Sequence, residues 1–94
     1  MTIYVLAQFK IHDRARYERY MAAFPDVFAQ FGGTLLAAEE KPPVEEGRWE
    51  GDKAVLLAFP DRAAYERWRD SPAYREISKD REAATEGSVI VLGG

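Results

Sequence analysis

The residues able to do chemistry in this chain are few and scattered. His12 is its single histidine, between a strand-like segment and a helix start. An imidazole titrates at about pH 6.5 and suits general acid or base work. At that position it would either reach a cleft or sit as an exposed turn residue. Glu46 is the second acid/base candidate, a carboxylate held close to a tight backbone at Gly47. Trp49 puts an indole into a stretch dominated by Pro, Glu, Gly, Arg and Lys, where it must cover apolar surface or stack on a ligand. Arg81 follows Tyr74 and Ile77 at helical spacing and shares their inward face. Glu46 and Arg81 would then pair, as a structural ion pair or as a substrate clamp. Tyr20 joins Trp49 and Arg81 as the ligand-binding candidates, while Tyr4, Tyr17, Tyr65 and Tyr74 read as core with their hydroxyls at its edge.

Other chemistries are excluded by what is missing. The chain has no cysteine, which removes disulfides, thiolate catalysis and sulfur-ligated zinc and fits a reducing compartment, so cytoplasm is expected. One histidine among scattered carboxylates offers no metal-ligand spacing, and neither a metal nor another cofactor is expected. GxSxG, GxGxxG and P-loop motifs are absent. With 13 Lys+Arg against 16 Asp+Glu, the net charge of −3 argues against a nucleic-acid partner. The longest apolar run, Ala54 to Pro60, has seven residues, far short of the roughly 20 that a membrane helix needs. Met1-Thr2-Ile3 opens no signal-peptide pattern.

What must position the candidates is a chain built twice. Asp13-Arg14-Ala15-Arg16-Tyr17-Glu18-Arg19-Tyr20 recurs as Asp61-Arg62-Ala63-Ala64-Tyr65-Glu66-Arg67-Trp68, six of eight positions identical at an offset of 48. Two copies are too few for a solenoid, so they are halves of a single domain spanning residues 1–94. Asp13 and Asp61 read as helix N-caps, because a carboxylate accepts the free backbone N–H groups of a first turn. The first helix carries Tyr17, Tyr20, Met21, Phe24, Phe28 and Phe31 on one stripe; Pro25 predicts a kink or short break over Ala22 to Pro25, and Gly32-Gly33 a stop at Phe31. A second helix is predicted from Arg62 to about Arg69, and Ser71-Pro72 launches a third over Ala73 to about Thr85. Strands are expected around Val5–Phe9, Thr34–Glu39, Ala54–Phe59 and Ser88–Leu92. The order β, α, β, β, α, β is that of an α+β, ferredoxin-like fold: a four-stranded antiparallel sheet with helices on one face.

Both faces of that sheet are apolar. Ala54, Leu56 and Ala58 line one side of their strand and Val55, Leu57 and Phe59 the other. A sheet with one face in water normally alternates apolar and polar residues, and the loop from Lys41 to Asp52 is too charged to be a lid. If some eight side chains are involved, on the order of 10 kcal/mol of transfer free energy is at stake. Sheet-on-sheet packing in a homodimer satisfies this.

Gly32-Gly33, Glu46-Gly47-Arg48-Trp49, Phe59-Pro60 and Ser71-Pro72-Ala73-Tyr74 with Arg81 downstream, taken in order over nearly the whole chain, resemble the bacterial domain of unknown function 1330. That family resembles the wider dimeric α/β-barrel superfamily, which includes small monooxygenases, muconolactone isomerase, haem-degrading enzymes and chlorite dismutase. The resemblance implies a homodimeric barrel with a cleft between sheet and helices for a small apolar or aromatic ligand. Two other expectations stand beside it: a cofactor-independent monooxygenase or isomerase acting on a small aromatic or lactone substrate, and a purely structural dimerisation module. The haem-binding relatives carry an axial histidine on a helix, which His12 does not reproduce. In Val44-Glu45-Glu46-Gly47 the chain departs from the family's aliphatic residue before Glu-Gly, which leaves open whether Glu45 or Glu46 points inward.

Overall fold

The structure, a computed structural model, describes residues 1–93. Its elements follow in the order β1 (Ile3–Ile11), α1 (Arg14–Phe28), a 3₁₀ turn (Ala29–Phe31), β2 (Thr34–Glu40), β3 (Lys53–Phe59), α2 (Arg62–Asp70), α3 (Pro72–Ala84) and β4 (Thr85–Leu92). The four strands form a single sheet in the order β2-β3-β1-β4, with every neighbouring pair antiparallel. The helices lie on one side of it, the α+β ferredoxin-like arrangement. Sheet and helix layer together measure only 16 Å along the shortest axis.

Each half starts its helix in the same way. Asp13 accepts from the Arg16 backbone N–H at 3.2 Å, and Asp61 from that of Ala64 at 2.8 Å, so both repeat copies open on a working N-cap. Ser71 does the same for α3, accepting from the Tyr74 N–H at 3.1 Å, with Pro72 in the first turn where no donor is lost. The break expected near Pro25 does not occur: α1 is continuous through it. Phe24 and Phe28 stack at 4.9 Å on either side of the proline and hold the two turns against a common core, which outweighs one missing hydrogen bond. The helix then tightens through Phe31 and ends at Gly32, whose φ of 74° is the left-handed conformation that glycine adopts without strain.

Strand β4 begins at Thr85, earlier than Ser88, because α3 runs straight into it. The Thr85 hydroxyl donates to the Arg81 carbonyl at 2.7 Å, and the backbone N–H groups of His12 and Asp13 both donate to the Ala84 carbonyl, so this junction needs no loop. At the same end of β1, Asp52 closes the long loop: its backbone N–H donates to the Phe9 carbonyl, and its side chain accepts from the Ile11 N–H at 2.8 Å. On β2 the register shifts between Leu35 and Ala37, and Leu36 bulges out of the ladder.

The core sits between sheet and helices. Ile3, Val5, Ala7 and Phe9 of β1 point into it, facing Phe59, Leu57, Val55 and Lys53 of β3 in register. Phe59, 1% exposed, packs edge-on against Phe28 and Tyr65 and tilted against Trp68. The opposite face presents Tyr4, Leu6, Leu56, Ile90 and Leu92, and no element among the described residues covers it; Tyr4, Ile90 and Leu92 are 41–48% exposed.

Candidate functional site

The aromatic layer does not close completely. Between sheet and helices lies a cavity of about 280 Å³, near the lower edge of the roughly 300–1,000 Å³ typical of small-molecule sites. Its floor is the inward face of β1 and β3, with Val5, Ala7, Phe9, Val55 and Leu57. Tyr17, Tyr20, Met21 and Phe24 come down from α1, Tyr65 and Trp68 from α2, and Tyr74 and Arg81 from α3. Leu35 of β2 and Val89 of β4 line it from the two edge strands and are 50% and 44% exposed. The repeat explains much of this wall. Tyr17 and Tyr65 are matched positions, as are Tyr20 and Trp68, so each half contributes the same two turns of aromatic surface.

The polar atoms in this wall fall into two groups. Tyr20 and Tyr74 share a buried hydroxyl–hydroxyl hydrogen bond of 2.9 Å. Arg69 is occupied outside, donating to Asp70 at 2.8 and 2.9 Å with its guanidinium 5.4 Å from the Tyr65 ring centre. By contrast the Tyr17 hydroxyl, the Trp68 indole Nε1 and the Arg81 Nε are buried with no hydrogen-bond partner among the described residues. Tyr17 is 1% exposed and Trp68 5%. A buried polar atom left unpaired costs about 1–3 kcal/mol, so three around one cavity are an uncommon concentration. Arg81 makes no ion pair among the described residues and lies 5.2 Å over the Phe9 ring. No aspartate, glutamate or histidine lines the cavity.

Behind this wall is a cation with little to hold it. Lys53 is 6% exposed; its Nζ sits 4.9 Å from the Tyr17 ring centre and 3.5 Å from the Met21 sulfur. Burial pulls its pKa below the usual lysine value, partly offset by Glu40. Glu40 itself accepts from Arg14 at 2.7 Å. Burial likewise pushes the Tyr17 phenol up to about 12, with Glu40 adding to the rise and Arg14 and Arg81 opposing it. Tyr20 is driven further up, first by burial and then by Tyr74. Both phenols keep their protons at neutral pH.

Of the residues singled out from sequence, the cavity brings Tyr20 and Arg81 together. Trp49 is half-buried in the long loop against Gly51, with its own Nε1 buried and unpartnered, and does not line the cavity. Glu45 and Glu46 are both exposed, and no ion pair joins Glu46 to Arg81 among the described residues. His12 is exposed too, fixed by its backbone rather than its imidazole. Sequence reasoning read Tyr17 as plain core and passed over Trp68 and Lys53 as site residues. The repeat pairs Tyr20 with Trp68, and Lys53 alternates with Val55 and Leu57 on the inward face of its strand; those were the available signals.

A family model described as "Domain of unknown function (DUF1330)" matches residues 2–94. No curated protein matches the chain. Among solved structures, a protein of unknown function from Rhodopseudomonas palustris superposes with a TM-score of 0.85 at 22% identity, over 99% of this chain and 82% of that one. A dimeric ferredoxin-like protein of unknown function from Thermobifida fusca gives 0.71 at 15% identity, over 100% and 92%. SnoaB, a cofactor-independent oxygenase from Streptomyces nogalater, gives 0.70 at 14% identity, over 99% and 92%. At these identities the likeness is one of fold.

Proposed function

The chain belongs to the family described as "Domain of unknown function (DUF1330)", and from that premise we propose that it is a small-molecule-binding protein whose site is the cavity between sheet and helices. One observation carries this reading: an apolar, aromatic-walled space whose lining residues Tyr17, Trp68 and Arg81 each carry a buried polar atom with no hydrogen-bond partner among the described residues. A wall meant only to fill a core would have paired those atoms or replaced them with carbon. The ligand is accordingly a small, mostly apolar or aromatic molecule. The working unit is a homodimer packed through the bare sheet face, a reading supported by the exposed Tyr4, Leu36, Ile90 and Leu92 and by the dimeric neighbour from Thermobifida fusca. The cysteine-free composition fits a cytoplasmic setting.

The test is a thermal-shift and calorimetric screen of planar aromatic compounds against size-matched sugars and amino acids. Aromatic compounds are expected to raise Tm in a concentration-dependent way; no shift from any of them overturns the ligand reading and leaves a dimerisation module. Sedimentation equilibrium at micromolar concentration is expected to return twice the chain mass, and a stable monomer overturns the dimer.

A second reading, a cofactor-independent oxygenase or isomerase, draws on Arg81 beside the paired hydroxyls of Tyr20 and Tyr74. With both Tyr17 and Tyr20 held protonated and no carboxylate or imidazole on the cavity wall, such a reaction would need a substrate that ionises by itself. Turnover of phenolic or lactone substrates that survives His12→Ala and Glu46→Gln fits that scheme. Loss of turnover in either variant returns the acid/base role to the loop residues and overturns it.

A further inference from the structure

Resting on the cavity as the ligand site, we infer that the ligand carries an ionised oxygen, a carboxylate or an acidic enol or phenol on a planar apolar body, and that Arg81 and Tyr17 hold it. The three unpartnered groups are of one kind. The Arg81 Nε–H and the Trp68 Nε1–H are donors only, and the Tyr17 hydroxyl is the one group that can also accept. An amine ligand would bring donors to the two donor-only groups, and a hydrocarbon would leave all three unmet; an ionised oxygen, an acceptor alone, meets Arg81 and Tyr17.

Charge points the same way. Cations lie near Tyr17, with the Lys53 Nζ 4.9 Å from its ring centre and Arg14 and Arg81 close enough to bias its ionisation against the opposing Glu40. Phe9, in contact with the Tyr17 ring at 6.5 Å, also lies under the Arg81 guanidinium and opposite Lys53 in the strand register. The nearby carboxylates are already engaged: Glu40 by Arg14, and Asp80 by Arg16 at 2.9 Å and Arg19 at 3.3 Å. Arg81 on the cavity wall and Lys53 behind it therefore make no ion pair among the described residues, with Glu40 and Glu18 acting on Lys53 only from a distance. Trp68 lies farther along the aromatic row, through Tyr74 and Tyr20, where its N–H would meet a neutral acceptor such as a ring carbonyl.

The test compares isosteres by calorimetry at neutral pH on the full chain: naphthalene-2-carboxylate, naphthalene-2-carboxamide and 2-naphthylmethylammonium, with benzoate and benzamide as a smaller pair. The carboxylates are expected to bind about tenfold or more tighter than their amides, the margin of one charged hydrogen bond, and the ammonium weakest. In Arg81→Gln this preference should shrink to within about twofold; Arg81→Lys should keep part of it, and Tyr17→Phe should lower carboxylate affinity several-fold. Far-UV circular dichroism confirms that each variant is folded. Amide binding as tight as carboxylate binding, or a preference intact in Arg81→Gln, overturns the inference while the cavity reading stands. If neither pair binds, the cavity reading fails and this inference goes with it.

Discussion

The two faces of the sheet are both apolar, and they differ in their polar atoms. On the helix-covered face the buried hydrogen-bonding groups are in deficit: Tyr17, Trp68 and Arg81 each leave one unmet. On the bare face Gln8 donates to the Ser88 hydroxyl at 3.3 Å and no strand residue leaves a buried polar atom unpaired among the described residues, while Leu6, Leu56, Ile90 and Leu92 form an apolar surface beside them. A face that lacks only cover asks for another apolar surface. One that lacks partners asks for a molecule with acceptors. The same strands, alternating every residue, thus carry two surfaces of different character, the two on which the proposed ligand site and dimer contact rest.

The contrast breaks most visibly on the bare face. Leu56→Asp places a carboxylate at the centre of the proposed dimer contact, once per protomer. With about 2–3 kcal/mol lost per buried leucine and a charge to desolvate, dimerisation should weaken by on the order of 4–6 kcal/mol, and sedimentation equilibrium should show monomer. Phe59→Ala is the matching cut on the covered face. It removes a side chain that is 1% exposed and in contact with Phe28, Tyr65 and Trp68, so a loss of about 3–5 kcal/mol is expected. Denaturant midpoints measured over a range of protein concentrations separate the two. The Leu56 effect should shrink on dilution, as the parent dimer itself dissociates, whereas the Phe59 effect should persist at every concentration.

The fold was largely legible because its signals are local and repeated. Asp13, Asp61 and Ser71 each announce a helix by the same capping chemistry, and alternation in Ala54–Phe59 gives the two-sided sheet directly. Of the kink or break read from Pro25, the break is absent because propensity is a local cost, while the Phe24–Phe28 stack that overrides it belongs to the packed core. The site was half legible. Arg81 and Tyr20 both sit on inward helical stripes, whereas Trp49, Glu46 and His12 stood out as unusual residues in polar stretches, and the cavity lies elsewhere. Unmet hydrogen bonds leave no mark on a sequence: Tyr17 and Tyr20 sit one turn apart on the same stripe, yet only Tyr20 finds a partner hydroxyl.

Alkaline pH should act through the covered face. Tyr17 has a folded pKa of about 12 against an ordinary value of 10.0, so the unfolded chain gives up this proton first. Its contribution is whole below pH 10 and is lost as pH rises from 10 to 12, up to about 2–3 kcal/mol, with Tyr20 adding a loss of the same sign. Urea denaturation at pH 9 and pH 11.5 should record the fall, and Tyr17→Phe should show a smaller one. An equal fall in that variant would remove Tyr17 as a source.

The smallest expected effect is the most discriminating, because its sign differs between two neighbouring phenols. Tyr17→Phe deletes a buried hydroxyl that has no partner, so the ligand-free protein should gain stability, by about 1 kcal/mol or some 4–8 °C in Tm. Tyr20→Phe deletes one half of a 2.9 Å bond and strands the Tyr74 hydroxyl, so it should lose about as much. The two side chains are 1% and 6% exposed, and both line the cavity, so burial cannot account for opposite signs. Only hydrogen-bond satisfaction separates them. An unchanged or lower Tm in Tyr17→Phe would mean that its hydroxyl is already served without a ligand, and the deficit that distinguishes the covered face would shrink to Trp68 and Arg81. A gain in stability together with weaker carboxylate binding would instead mark Tyr17 as a group kept at a cost to the fold for what it holds.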